Sequence, residues 1–346
     1  MIPPGGGVRQ SSYSDAMMCA LMSSPIVRTF HHRDFDLDRL VEAKRGRQIS
    51  VCLPARNEEP TVGRVVGTIR RELVERRPLV DEVLVIDDGS VDGTAGAARA
   101  AGARVVHADS VLTEYDTGPG ASVDGGKGAA MWKAVYASRG DLIVFCDADV
   151  KNFGPRFVTG IVGPLLLDDG LAFVKGFYDR PLEGRPGEGG RVTELVARPL
   201  ISLLFPELAG IVQPLAGECA APRDVFEQLP FVEGYGVDLA LVIDVARRFG
   251  LAAIGQTDLG VRVHRNRSLE DLAPQAMAVL QAALSRRPGM EDGMMATTAA
   301  GLDPAWTPGL DPAWSPVLLR PGQEPFPVAA GERPPMVEVP AYRKSA

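Results

Sequence analysis

The residues best suited to chemistry in this chain close a short apolar run, Asp141-Leu-Ile-Val-Phe-Cys-Asp-Ala-Asp149. Leu142 to Cys146 are β-formers set between Gly140-Asp141 and an acidic pair. Such a run predicts a strand buried on both faces, as in a parallel sheet. Asp147 and Asp149 then stand at the carboxyl end of that strand, the edge where open α/β sheets bind ligands. Two carboxylates there repel unless a cation lies between them. Hard oxygen ligands favour Mg²⁺ or Mn²⁺, and Mg²⁺ commonly completes its shell with phosphate oxygens. The chemistry to expect is a metal–diphosphate site. The spacing alone is a weak sign, because Asp34, Asp36 and Asp38 repeat it in a polar segment that reads as a solvated helix start. The strand leading into Asp147 separates the two cases.

The elements that must position this pair come before it. Leucine, valine and alanine fall at helical spacing from Asp36 to Arg45, giving one amphipathic helix. Ile49-Ser-Val-Cys-Leu-Pro54 is the first strong strand, followed by Ala55-Arg-Asn-Glu-Glu59 and a helix from about Thr61. A dinucleotide fold would carry G-x-G-x-x-G here, and it is absent. The acidic turn instead offers Asn57 and Glu58 either as hydrogen-bond partners for a base or ribose or as plain helix caps. The second strand, Glu82-Val-Leu-Val-Ile-Asp87, runs into Asp88-Gly89-Ser90. A helix over Thr94–Ala101 and a strand over Ala103–His107 complete a β-α-β-α-β order, which implies a parallel sheet with right-handed crossovers. The Gly-rich stretch Ser110 to Gly128 holds Gly125-Gly-Lys-Gly128 but lacks the spacing and the following Ser/Thr of a Walker A loop. It reads as a flexible loop that supplies Lys127 as a mobile counter-charge for a diphosphate, ahead of a helix over Ala129–Ser138.

Composition narrows the class. The 346 residues carry a formal charge of −7, which argues against non-specific binding to nucleic acid or anionic membranes. No window supplies the roughly 18 apolar residues of a membrane span. Ala16 to Met22 is too short for a signal sequence, so a cytoplasmic location is expected. Cys19, Cys52, Cys146 and Cys219 have no C-x-x-C spacing and read as small buried hydrophobes.

The second half reads as a partner for an anion. Gly189-Gly190-Arg191-Val-Thr193 precedes an apolar helix from about Glu194. Free N–H groups, a helix dipole and a guanidinium make an anion site, although a plain loop-to-helix junction has the same sequence. Arg262-Val-His-Arg-Asn-Arg267 concentrates three arginines and a histidine. Alternation over Val261–His264 suits a strand with Arg262 and His264 on one side, either as a solvated basic face or against an anionic substrate. His264 is a structural histidine or a metal ligand.

The order of strand–Pro-Ala-x-Asn-Glu-Glu, strand–Asp-Asp-Gly-Ser, Gly-Lys-Gly and strand–Asp-Ala-Asp resembles a GT-A glycosyltransferase with a nucleotide-sugar donor. Gly190–Leu200, Gln213–Glu218, Gly234–Asp238 and Leu259–Arg267 narrow the resemblance to the actinobacterial glucosyl-3-phosphoglycerate synthases. It runs from about Thr29 to Leu284. The resemblance implies a GT-A fold: an α/β, mostly parallel Rossmann-like sheet with an acceptor-binding C-terminal half. It implies retaining transfer of glucose from UDP-glucose to 3-phosphoglycerate, a Mg²⁺ or Mn²⁺ cofactor and a homodimer. Carried over residue by residue, Asp149 and His264 hold the metal. Asp147 meets the donor ribose, and Pro54, Ala55, Glu58, Asp88 and Lys127 line the uridine-diphosphate pocket, with Tyr235 in a mobile loop over it. Arg191, Thr193 and Asn266 hold the acceptor phosphate and carboxylate, with Gly190 and Arg262 beside them. Asp238 and Glu218 are candidates for a catalytic base or nucleophile, alongside Asp149 and Lys127 at the leaving group. The chain departs from the family pattern with Asp88 in place of serine and Asp238 in place of glutamate.

Rival readings are a GT-A transferase using GDP-mannose or a polyprenyl-phosphate acceptor, and a sugar nucleotidyltransferase. The last would need a Gly-rich loop after the first strand, where this chain has Pro-Ala-Arg-Asn-Glu-Glu. The expected organisation is a disordered extension over 1–27, a nucleotide-sugar half over 28–150, an acceptor half over 151–285 and a Pro-rich disordered tail over 286–346. That tail repeats Gly301-Leu-Asp-Pro-Ala-Trp-Thr-Pro308 almost unchanged at Gly309 to Pro316.

Overall fold

A computed structural model of the chain describes residues 27–116, 125–181, 185, 189–264, 268–287, 317–321, 324–328 and 331–343. Its centre is one eight-stranded sheet. The strands are β1 (Arg28–His31), β2 (Ile49–Ala55), β3 (Glu82–Asp87), β4 (Arg104–His107), β5 (Leu142–Phe145), β6 (Phe173–Asp179), β7 (Cys219–Pro222) and β9 (Ile254–Val261). A two-residue β8 (Phe231–Val232) lies outside it. The spatial order is β1-β9-β6-β7-β5-β2-β3-β4. All pairings are parallel except those β7 makes with β5 and β6. This is the expected α/β sheet, and it runs unbroken across both halves of the chain.

Side-chain alternation explains why the central strands are apolar on both sides. Leu84 and Ile86 of β3 and Ile143 and Phe145 of β5 join Trp132 and Val242 in the core on one face. Val83, Val85, Leu142 and Val144 point the other way, into a core with Val62, Val66, Phe157 and Ile161. Helices Gly126–Ala137 and Val237–Phe249 cover the first face, and Glu59–Ile69 and Arg156–Leu167 the second. With both faces covered, the central strands β2, β3 and β5 present apolar side chains to both layers. Cys52, Cys146 and Cys219 are buried free thiols in these layers, as expected of them.

The chain proceeds from β2 outward to β3 and β4, then crosses back to place β5 on the other side of β2. Strand order reverses between β5 and β2, so a crevice opens beyond their carboxyl ends. That crevice receives the acidic pair.

Three local expectations change. The Gly-rich segment is not a loop as far as Gly128, because the helix begins at Gly126 and takes Lys127 into its first turn. The glycines serve close approach: a Cβ at Gly128 would lie 1.8 Å from the Val232 carbonyl oxygen. β9 ends at Val261, so Arg262 and His264 follow the strand rather than extend it. The tail is not wholly without order. Residues 331–343 fold back onto the domain through β10 (Glu332–Arg333), antiparallel to β8, and bury Met336 and Val339 completely. A composition rich in proline hid two apolar anchors and a strand too short to register as a period. The expected N-terminal extension, apart from Val27, and the tryptophan repeat lie outside the described residues. Among the described residues no helix is long and apolar enough to cross a membrane.

Candidate active site

A cleft of about 300 Å³ opens at the β5–β2 crevice. Strand ends supply one wall: Pro54 and Ala55 from β2, Asp88 after β3, and Asp147 to Asp149 after β5. Lys127 enters from the helix behind them. Gly190, Arg191 and Thr193 line the opposite side with Tyr235, Asp238, Arg262 and His264. The sheet therefore brings together residues from Pro54 to His264 in one place.

The charges interlock. Lys127 Nζ lies 3.1 Å from Asp147 Oδ1 and 2.9 Å from Asp238 Oδ2. Arg262 Nη2 lies 2.9 Å from Asp147 Oδ2 and 2.6 Å from Asp149 Oδ1. Burial alone would raise the Asp147 pKa, but Lys127 and Arg262 outweigh it and hold the carboxyl well below the usual range. Burial likewise opposes the charge on Lys127, and Asp147 and Asp238 reverse that effect, keeping it a cation. Lys127 is thus a fixed, paired charge rather than a mobile one.

His264 is lowered to about 4, by burial first and then by Arg262 and Arg180, against the pull of Asp149 and Asp147. Its imidazole is neutral at physiological pH, the form that ligates metals. Among the described residues no group of three or more His, Cys, Asp or Glu side chains surrounds one point. A neutral imidazole and a hard carboxylate on one cleft fit a divalent ion whose remaining ligands come from a phosphate-bearing substrate.

Several expected residues lie elsewhere than their proposed roles require. Asn57 is exposed, and its Oδ1 accepts from the Val91 N–H at 2.9 Å, so it ties the β2 turn to the β3 turn rather than lining the cleft. Glu58 does line the cleft, and its carbonyl starts the following helix. Glu218 is fully buried behind the cleft and accepts the Tyr178 hydroxyl at 2.7 Å; burial raises its pKa despite Arg262. It does not line the cleft. Arg262, expected on the acceptor, is 3 % exposed and taken up by the acidic pair and Tyr178. Asn266 lies outside the described residues.

Sequence reading passed over the supporting layer. The Tyr178 hydroxyl donates to Glu218 and accepts from Arg262 Nη1 at 2.5 Å and Arg180 Nη2 at 2.8 Å. Lys175, buried in β6, donates to the Ala216 carbonyl at 2.7 Å and approaches Asp238 Oδ1 at 3.8 Å. A lysine and a tyrosine amid the apolar run of β6 were the available signal, because buried polar groups must be paired. Leu272, Gln275 and Val279 of the helix Leu269–Ser285 close one side of the cleft.

The sequence model described as Glycosyl transferase family 2 matches residues 50–165. The chain is 40 % identical to the glucosyl-3-phosphoglycerate synthase of Petrotoga mobilis over 324 residues, which span 92 % of this chain and 95 % of that one. It is similar, at a TM-score of 0.74 and 40 % identity, to the Mycobacterium tuberculosis glucosyl-3-phosphoglycerate synthase in complex with Mn²⁺, UDP-glucose and phosphoglyceric acid; the match covers 90 % of this chain and 98 % of that one. A second structure of that enzyme, holding Mg²⁺ and UDP, matches at 41 % identity and a TM-score of 0.74, covering 90 % and 99 %.

Proposed function

The chain belongs to the glucosyl-3-phosphoglycerate synthase family, and from that premise we propose that it transfers glucose from UDP-glucose to the 2-hydroxyl of D-3-phosphoglycerate, releasing UDP. The observation that carries this reading is the convergence of Lys127, Asp147, Asp149, Arg262 and His264 on the cleft at the β5–β2 crevice. Asp149 and His264 are the residues that would hold a Mg²⁺ or Mn²⁺ ion. When bound, that ion neutralises the negative charge that builds on the leaving diphosphate.

Each remaining role falls to the chain itself. Pro54, Ala55, Glu58 and Asp88 border the uridine side, and Lys127 adds a fixed positive charge beside the diphosphate. Arg262 helps keep Asp147 ionised and holds both aspartates in place through ion pairs, rather than binding the acceptor. Arg191, Gly190 and Thr193 hold the acceptor phosphate and carboxylate, Arg191 supplying the donors suited to both. Fixing the acceptor hydroxyl beside the anomeric carbon supplies the proximity effect.

The bond from the anomeric carbon to the β-phosphate oxygen breaks with its electron pair remaining on UDP. The acceptor oxygen attacks from the same face, and its proton passes to the departing phosphate oxygen. This course retains configuration and requires no protein nucleophile. It is supported by the placement of the two carboxylate candidates: Glu218 is sealed behind Tyr178 and Arg262, and Asp238 is engaged by Lys127. A cytoplasmic location accompanies this reading, supported by three buried thiols with no disulfide among them.

A UDP-release assay tests the reading. UDP-glucose and GDP-mannose are each offered with 3-phosphoglycerate or a polyprenyl phosphate, with Mg²⁺ and with EDTA. Turnover confined to UDP-glucose, 3-phosphoglycerate and metal is expected. Pyrophosphate release, or undiminished turnover in EDTA, overturns it.

A further inference from the structure

Arg333 stands in the C-terminal segment, far along the chain from Lys127, Asp147 and Asp149, yet it is 3 % exposed. A buried guanidinium requires partners. Its Nη2 lies 2.6 Å from Glu233 Oε1 and 3.2 Å from Asp116 Oδ1, and its guanidinium faces the Trp132 ring at 5.8 Å. Asp116 also takes Lys133 Nζ at 2.6 Å, and the Trp132 Nε1–H donates to the Pro334 carbonyl at 2.8 Å. Backbone pairing fixes the same segment: Arg333 is in register with Phe231, and the Glu233 N–H donates to the Gly331 carbonyl at 2.8 Å.

These contacts meet at the two supports of one pair in the cleft. Lys133 and Trp132 belong to the helix whose first turn carries Lys127. Glu233 immediately precedes Gly234-Tyr235-Gly236, the segment that carries Tyr235 into the cleft and leads into Asp238. The supports also touch directly, the Gly234 N–H donating to the Gly125 carbonyl at 3.1 Å. Tail, helix and segment thus form one frame, with the Lys127–Asp238 ion pair at its open end.

We propose that Arg333 is a positioning residue for glucosyl transfer: through Glu233 and Asp116 it locks the Glu233–Asp238 segment against the Lys127 helix, so that Lys127 and Tyr235 face the donor. The proposal rests on reading the cleft as the donor site. The acceptor side, at Arg191 and Thr193, is outside this frame.

The test uses the full chain with Arg333→Met and Arg333→Lys. Arg333→Met is expected to lower kcat on the order of 10–100-fold while the 3-phosphoglycerate KM stays within about two-fold. Arg333→Lys, which keeps the charge, is expected to restore most of the loss. Amide exchange across 233–238 is expected to quicken in Arg333→Met. Wild-type kcat in Arg333→Met overturns the proposal. So does a loss that raises both KM values equally and follows the melting temperature in both variants, since that is a purely structural role. If the wild-type chain releases no UDP from UDP-glucose, the reading of the reaction fails instead. Amide exchange then decides the frame alone, and unchanged exchange in Arg333→Met overturns it.

Discussion

Arg262 Nη2 lies 2.6 Å from Asp149 Oδ1, joining residues 113 positions apart in the chain. The same guanidinium reaches Asp147 at 2.9 Å and stands 3.6 Å from Glu218. Three carboxylates therefore share one buried cation. Removing it leaves negative charge uncompensated away from water, and breaking a buried pair in this way costs about 3–5 kcal/mol. Arg262→Met should lower the melting temperature sharply, and Arg262→Lys should recover only part of it, because an ammonium cannot fork across several partners. Thermal unfolding of the two variants checks this.

Asp149 is the opposite case, a carboxylate on the cleft wall with a quarter of its side chain exposed. Asp149→Ala removes a proposed metal ligand but leaves Arg262 paired with Asp147. Turnover should fall by at least about 10²–10³-fold, the effect typical of losing a preorganised group at a leaving oxygen. The circular dichroism spectrum should not change. Loss of fold along with activity would contradict the assigned role.

How much of this was legible beforehand differs by layer. The strands β2, β3 and β5 could be read because both faces of the sheet are covered, so apolar runs had no polar alternation to confuse them. Asp147 and Asp149 could be read from the strand that delivers them. Lys127 lines the cleft but is paired and helical rather than mobile: its neighbours Gly125, Gly126 and Gly128 signal flexibility in sequence, whereas here they admit the backbone at Val232 and Gly234. Arg262 could not be assigned by type, since an arginine that grips substrate and one that holds aspartates in place look alike until burial is known. The layer of Tyr178, Lys175 and Arg180 and the docked tail depend on contacts between distant segments, which no local period records.

Arg191 and Thr193 lie across the cleft from Lys127, beside Gly190, whose φ of 77° calls for glycine. If this side holds the acceptor, Arg191→Ala should raise the 3-phosphoglycerate KM at least about ten-fold, as loss of charge-assisted hydrogen bonds does. The UDP-glucose KM should hardly move. Steady-state kinetics with each substrate varied in turn checks the split, and equal changes would remove Arg191 from the acceptor site.

At the amino end of the sheet, Glu82 joins Ser50, Arg139 and Arg104. Its Oε2 accepts from the Ser50 hydroxyl at 2.6 Å and the Arg139 N–H at 2.9 Å, and its Oε1 from Arg104 at 2.8 Å. Burial alone would raise its pKa, but these partners outweigh it and the shift is downward. A carboxyl depressed in the folded state adds stability above its unfolded pKa and loses it as pH falls through the folded one. Glu82→Gln should therefore destabilise at neutral pH, by about 1–2 kcal/mol after solvent screening. The difference should fade as the pH drops below about 4, where the unfolded carboxyl protonates. Urea titrations across that range check the sign.

Gly217 packs directly against the acidic pair: a Cβ there would lie 2.2 Å from Asp147 Oδ1 and 2.3 Å from Oδ2. An unconstrained carboxylate would swing aside, but Asp147 is held between Lys127 and Arg262, so relief must come from breaking one of those pairs. Gly217→Ala should consequently displace Asp147 and lower kcat on the order of 10–100-fold, as misplacement by a fraction of an ångström to an ångström does. Gly67 supplies the control. It lies within the helix Glu59–Ile69 with nothing within 4 Å of its Cβ position. Gly67→Ala should stabilise by about 0.5–1 kcal/mol through helix propensity and leave kcat unchanged. Comparing kcat and melting temperature for the two variants separates damage at Asp147 from the general effect of replacing glycine. Normal kcat in Gly217→Ala would mean that Asp147 need not be held where it stands for transfer to occur.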